Sequence, residues 1–130
     1  MEKIKDKKRF SLVARIKSST HAWRGLGILI KTTHNAWLEI LFALLAIYLG
    51  FILSITQTEW LFIVFSIGIV VISETFNTAI EIDIDLTSPE YHPYARDTKD
   101  VAAAAVFQSV LVSVVVGCII FLPKIFVLFN

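Results

Sequence analysis

Apolar residues run almost unbroken from Leu38 to Ile55, from Trp60 to about Ile82 and from Val101 to Leu122. Each run is near the ~20 residues that a helix needs to cross the hydrocarbon core of a bilayer. Ahead of them the pattern changes. Between Lys8 and Lys31, Phe10, Val13, Ile16, Trp23, Leu26 and Ile30 alternate with Arg9, Arg15, Lys17, Arg24 and Lys31. That mixture suits a helix lying in the membrane interface, with Gly25 and Gly27 permitting a bend or a close approach. The predicted fold is an all-α membrane protein: an amphipathic surface helix over about 8–31, then transmembrane helices over about 38–55, 60–82 and 101–122. Residues 1–130 read as a single domain. In the third run Ala105, Ser109, Ser113 and Gly117 repeat every fourth residue, a small-residue stripe that predicts tight packing or oligomerisation.

Composition agrees: of 130 residues, 56% are hydrophobic and 18% charged, which excludes an ordinary soluble domain. The net charge of +1 hides segregation, because nine of the twelve Lys and Arg lie between Lys3 and Lys31 and seven of the eleven acids between Glu74 and Asp100. The turn Thr56-Gln57-Thr58-Glu59 has no Lys or Arg, so the positive-inside bias places the N-terminus of this multi-pass chain in the cytoplasm. The loop from Asp83 to Asp100 then faces the cytoplasm too, where nucleotides and divalent cations are available; Lys124 alone opposes the bias. Topology and attraction to anionic headgroups account for the basic segment, and no nucleic-acid partner is expected. Cys118 lies in an apolar run and reads as a small packing residue. No cleavable leader is expected, since the basic start leads into an amphipathic segment.

The second run ends in Ser73-Glu74-Thr75-Phe76-Asn77-Thr78-Ala79-Ile80-Glu81. On a helix Glu74, Asn77, Glu81 and Asp85 fall within roughly 80° of one face. A carboxylate facing lipid costs on the order of 3 kcal/mol, so such a column belongs inside a bundle and points to chemistry. Only one run carries such a column and no inverted repeat is present, which argues against a channel or transporter. The loop that follows, Ser88-Pro89-Glu90-Tyr91-His92-Pro93-Tyr94-Ala95-Arg96-Asp97-Thr98-Lys99-Asp100, crowds polar groups between helix-breaking prolines. Asp83 sits away from Glu81 and reads as solvent-facing.

Glu74-x-x-Asn77-Thr78-Ala79-Ile80-Glu81, then Asp85, His92-Pro93 and Lys99-Asp100-Val101-Ala102-Ala103-x-Ala105-Val106, resembles the small prokaryotic diacylglycerol kinase family, which includes the undecaprenol kinases. Trp23-Arg24-Gly25-Leu26 in the surface segment agrees. The resemblance implies an ATP- and Mg2+-dependent lipid kinase of the bacterial inner (cytoplasmic) membrane, a homotrimer with active sites at subunit interfaces, acting on diacylglycerol or undecaprenol. It assigns Glu74 as the general base, Glu81 as the metal-binding carboxylate that holds magnesium on the ATP, and Glu90, Tyr91, His92, Lys99 and Asp100 as nucleotide contacts. Asn77 and Asp85 would position the substrate or phosphate. A base fits the chemistry, since a lipid hydroxyl is a poor nucleophile until its proton is accepted. Asp100 also suits a helix cap, and His92 a solvated turn.

One stretch departs from the family pattern. Where members show Glu-x-Asn-x-Arg, this chain has Thr33-His34-Asn35-Ala36-Trp37, so Thr33 replaces a second metal-binding carboxylate and Trp37 an arginine. Weaker metal and nucleotide binding is expected, with His34 or Glu39 as substitutes. The alternative function is a non-catalytic membrane homologue that has lost kinase activity.

Overall fold

The computed structural model describes residues 11–129, so Lys8 to Phe10, the start of the expected surface helix, lies outside the described residues. Four helices follow one another: α1 Leu12–Thr32, α2 His34–Ile52, α3 Gln57–Thr87 and α4 Pro93–Phe129. α2, α3 and α4 are each long and apolar enough to cross a membrane. α1 is the preceding surface helix. It runs unbroken through Gly25 and Gly27, and a Cβ at either would meet open space, so neither marks a bend or a close approach within the chain.

The helix ends are set by local chemistry rather than by where the apolar runs stop. Between α2 and α3 the chain turns through Ser54, whose φ of 48° is left-handed. Ile55 donates its N–H to the Gly50 carbonyl at 3.1 Å and Ser54 donates to Phe51 at 3.3 Å. This pair of bonds closes a helix end in the Schellman manner, with serine where glycine is usual. α3 opens on a capping box: Glu59 N–H donates to Thr56 Oγ1 at 3.3 Å and Thr56 N–H donates to Glu59 Oε2 at 2.7 Å. The loop between α3 and α4 is shorter than expected. α3 continues to Thr87 and α4 begins at Pro93, where the missing N–H costs nothing. Asp85 therefore lies on α3, and Lys99 and Asp100 lie within α4, beyond the position of a cap.

α3 and α4 form the antiparallel hairpin on which the rest is built, and polar pairs mark its register from end to end. Lys124 Nζ meets Glu59 Oε2 at 3.2 Å, Ser113 Oγ donates to the Ser66 carbonyl at 3.1 Å, Ser73 Oγ donates to Ser109 Oγ at 2.8 Å, and Lys99 pairs with Asp85. Lys124 is thus accounted for by its partner. The small-residue stripe from Ser109 to Ser113 is spent on this contact within the chain, whereas Ala105 faces outward.

Ile55, Ile63, Ile120 and Phe121 form a buried cluster at the Glu59 end, with Trp60 and Leu49 packed against it. Gly50 allows this closeness, because a Cβ there would lie 2.7 Å from the Trp60 ring. From this cluster a largely apolar groove of about 390 Å³ runs between α2, α3 and α4, lined from Leu49, Ile63 and Phe121 to Glu39, Val70 and Val110. Most remaining apolar side chains face outward, as membrane-spanning helices require. Cys118 is among the exposed residues rather than packed inside.

Candidate active site

Polar residues on the inner face of α3 build the site. Glu74 is 2% exposed and is the largest fully buried side chain among the described residues. Asn77, one turn on, is also buried, and its Nδ2 donates to Glu81 Oε1 at 3.1 Å. Its Oδ1 is buried with no protein partner. An unpaired buried acceptor is costly, so Oδ1 stands ready for a ligand. Glu81 is half-buried as the helix emerges, and Asp83 is exposed, outside the site.

Thr78 completes this face. Its hydroxyl lies 3.3 Å from that of Thr33, delivered from the corner between α1 and α2. Thr33 has extended backbone angles, φ −107° and ψ 113°, which end α1 and bring the chain against α3 between buried Leu29 and Ala36. The departure from the family pattern at Thr33 therefore falls directly on the polar face. Glu39 lines the apolar groove, close enough to Glu74 for like-charge repulsion in the ionised forms, as Glu74 is to Glu81. The side chain of His34 lies outside the described residues. Among the described residues no three His, Cys, Asp or Glu side chains gather as a metal cage. Magnesium needs less, because it is commonly bound through one or two carboxylates together with substrate phosphates. Glu81 and the unpaired Asn77 Oδ1 are hard oxygen donors of that kind, so the residues present fit the cation, with Thr33 contributing a hydroxyl where a carboxylate was expected.

A second cluster surrounds the loop between α3 and α4. Asp85, Glu90, Tyr91, His92, Lys99 and Asp100 all line one open pocket of about 400 Å³, together with Arg96. His92 Nδ1 accepts the Tyr94 N–H at 3.2 Å, a contact that orients the ring and leaves Nε2 as its other polar atom. Lys99 is paired with Asp85, and Arg96 Nε lies 3.6 Å from Asp100 Oδ2. The eleven-residue step from Glu74 to Asp85 corresponds to about 16 Å along the helix, a separation that an extended nucleoside triphosphate can bridge, with Glu81 between. The sequence reading did not assign Thr78 or Arg96. Thr78 sits four residues after Glu74 on the same face, a signal available from spacing; Arg96 becomes visible only once α4 is known to begin at Pro93.

The family model described as prokaryotic diacylglycerol kinase matches residues 20–121. The undecaprenol kinase of Bacillus subtilis is 37% identical over 108 residues, covering 83% of this chain and 88% of the relative. The diacylglycerol kinase of Escherichia coli K12 is 30% identical over 112 residues, covering 81% and 86%. That of Synechocystis is 30% identical over 107 residues, covering 82% and 61%. With both polar clusters inside the matched region, the chain belongs to the prokaryotic diacylglycerol kinase family, and so to the membrane lipid kinases.

Proposed function

We propose that this protein transfers the γ-phosphoryl group of ATP to the hydroxyl of a membrane lipid, with Glu74 as general base. The observation that carries the reading is the burial of Glu74 at the head of the polar face, one helical turn beyond Val70 of the apolar groove and about 16 Å of helix from the loop pocket. In the step, Glu74 takes the hydroxyl proton as the lipid oxygen bonds to the γ-phosphorus. The bond from that phosphorus to the β–γ bridging oxygen breaks and ADP leaves. Asn77 orients the reacting groups through Oδ1 and steadies Glu81 through Nδ2. Glu81, with Asn77 Oδ1, would hold a magnesium ion, which would supply charge neutralisation at the phosphates. Glu90, Tyr91, His92, Lys99 and Asp100 hold the nucleotide in the loop pocket, and Asp85 positions Lys99.

The same reading makes the protein a homotrimer of the bacterial cytoplasmic membrane, with its N-terminus in the cytoplasm. α2 and α4 each bury far less of their length within one protomer than α3 does, and the apolar groove between them stays open to one side, which suits a site completed by a neighbour. The B. subtilis relative at 37% identity is named an undecaprenol kinase and those at 30% diacylglycerol kinases, which favours the polyprenol as acceptor.

Transfer of labelled γ-phosphate from Mg-ATP to undecaprenol and to diacylglycerol in matched micelles tests both points. Wild-type protein is expected to phosphorylate undecaprenol faster, and Glu74→Gln to lose at least about 100-fold in turnover. Equal rates on the two lipids would remove the preference. No transfer to either, from a well-folded oligomer over a range of magnesium concentrations, would favour a non-catalytic homologue.

A further inference from the structure

We propose that Arg96 is a second phosphate-binding cation of the loop pocket, held by Asp100 until a nucleoside triphosphate takes its place. The inference rests on the reading of that pocket as the nucleotide site.

Arg96 stands in the first turn of α4, whose opening residues include no acid. Aligned peptide dipoles leave positive charge at a helix N-terminus, so acids are favoured there and an arginine works against the helix. Lys99 follows one turn later on the same wall of the pocket. Guanidinium and ammonium thus line one space of about 400 Å³. Both cations are already paired with carboxylates that line the same space: Lys99 with Asp85, and Arg96 with Asp100 at 3.6 Å. The Arg96–Asp100 contact is long, and each side chain is 68% exposed, so the pair adds little to stability and exchanges readily. A phosphate offers a guanidinium two parallel hydrogen bonds and more charge than a carboxylate does.

The charge balance adds selectivity. Among its acidic, lysine and arginine side chains the pocket sets three carboxylates, Asp85, Glu90 and Asp100, against two cations, Arg96 and Lys99. Such a lining disfavours a bare polyanion and admits one whose charge a divalent cation has partly neutralised. Arg96 then engages the phosphates after Asp100 releases it. The exchange sets nucleotide affinity and leaves the chemistry at Glu74 unchanged.

The test compares full-length wild type, Arg96→Gln, Arg96→Lys and Thr98→Glu in micelles. Thr98→Glu lowers the net charge by the same one unit on an exposed residue that does not line the pocket. Mg-ATP binding is measured by calorimetry, and kcat and KM for Mg-ATP and lipid by phosphate transfer. Arg96→Gln is expected to raise the Kd and KM for Mg-ATP about five- to tenfold, with kcat and the lipid KM unchanged. Arg96→Lys should recover part of the loss, and Thr98→Glu should stay within about twofold of wild type. Equal affinity in Arg96→Gln and wild type, or an equal loss in Thr98→Glu, would overturn the role of Arg96 while leaving the kinase reading intact. Wild-type protein that binds no Mg-ATP would overturn both.

Discussion

Thr33 occupies the position from which a side-chain oxygen ordinarily caps the following helix, yet it caps nothing in α2 and its hydroxyl goes to Thr78 instead. A capping contact is commonly worth about 1 kcal/mol, so its diversion indicates that the corner is fitted to the polar face of α3 rather than to its own helix. A carboxylate at this position would face Thr78, with Glu74 and Glu81 one turn to either side. Thr33→Glu is therefore expected to tighten divalent-cation binding about tenfold while giving up one neutral hydrogen bond. Manganese binding followed by electron paramagnetic resonance would read this independently of turnover, and unchanged affinity would show that the second carboxylate has no place here. The column Glu74, Asn77, Glu81 was legible from helical spacing alone because each side chain is costly in lipid. The contact from Thr33 was not, since it joins residues 45 apart through a corner that no periodicity encodes.

Among the elements, the apolar runs located the membrane but not the helix ends. Hydropathy records where lipid begins; a helix stops where its backbone groups find other partners. α3 and α4 leave the apolar zone and continue as helix, so Asp85 and Lys99, expected on a helix end and a loop, face each other across a hairpin. The signals for the true ends were present in the chain as Thr56-x-x-Glu59 and Pro93. Nothing announced the other turn: Ser54 adopts a left-handed conformation that favours glycine, and the Ile55 and Ser54 N–H bonds close α2 regardless. Ser54→Gly should relieve this strain and stabilise the protein by about 0.5–1 kcal/mol, seen as a higher midpoint in thermal or detergent-titrated unfolding. A lower midpoint would mean that the freedom glycine gives the unfolded chain outweighs the strain.

At the scale of the whole molecule, the hairpin is asymmetric about the bilayer. α3 has 31 residues and α4 has 37, about 46 and 55 Å, against a hydrocarbon core of about 30 Å. The Glu59–Lys124 pair lies in the first turn of α3 and five residues before the end of α4, so most of their excess length emerges at the other end. About 20 residues from Trp60 the hydrocarbon ends near Ile80, which puts Glu81 at the boundary and Glu74 about 9 Å inside. The anchored hairpin is thus a ruler laid across the membrane, and under the proposed function lipid thickness decides whether the buried Glu74 carboxylate meets a hydroxyl at headgroup depth. Turnover in vesicles of about 14-, 18- and 22-carbon acyl chains should pass through a maximum at constant KM for Mg-ATP; a flat response would mean that the hairpin tilts freely. Releasing the anchor with Lys124→Met should broaden that maximum, because the depth of the reaction is then no longer fixed from the opposite face.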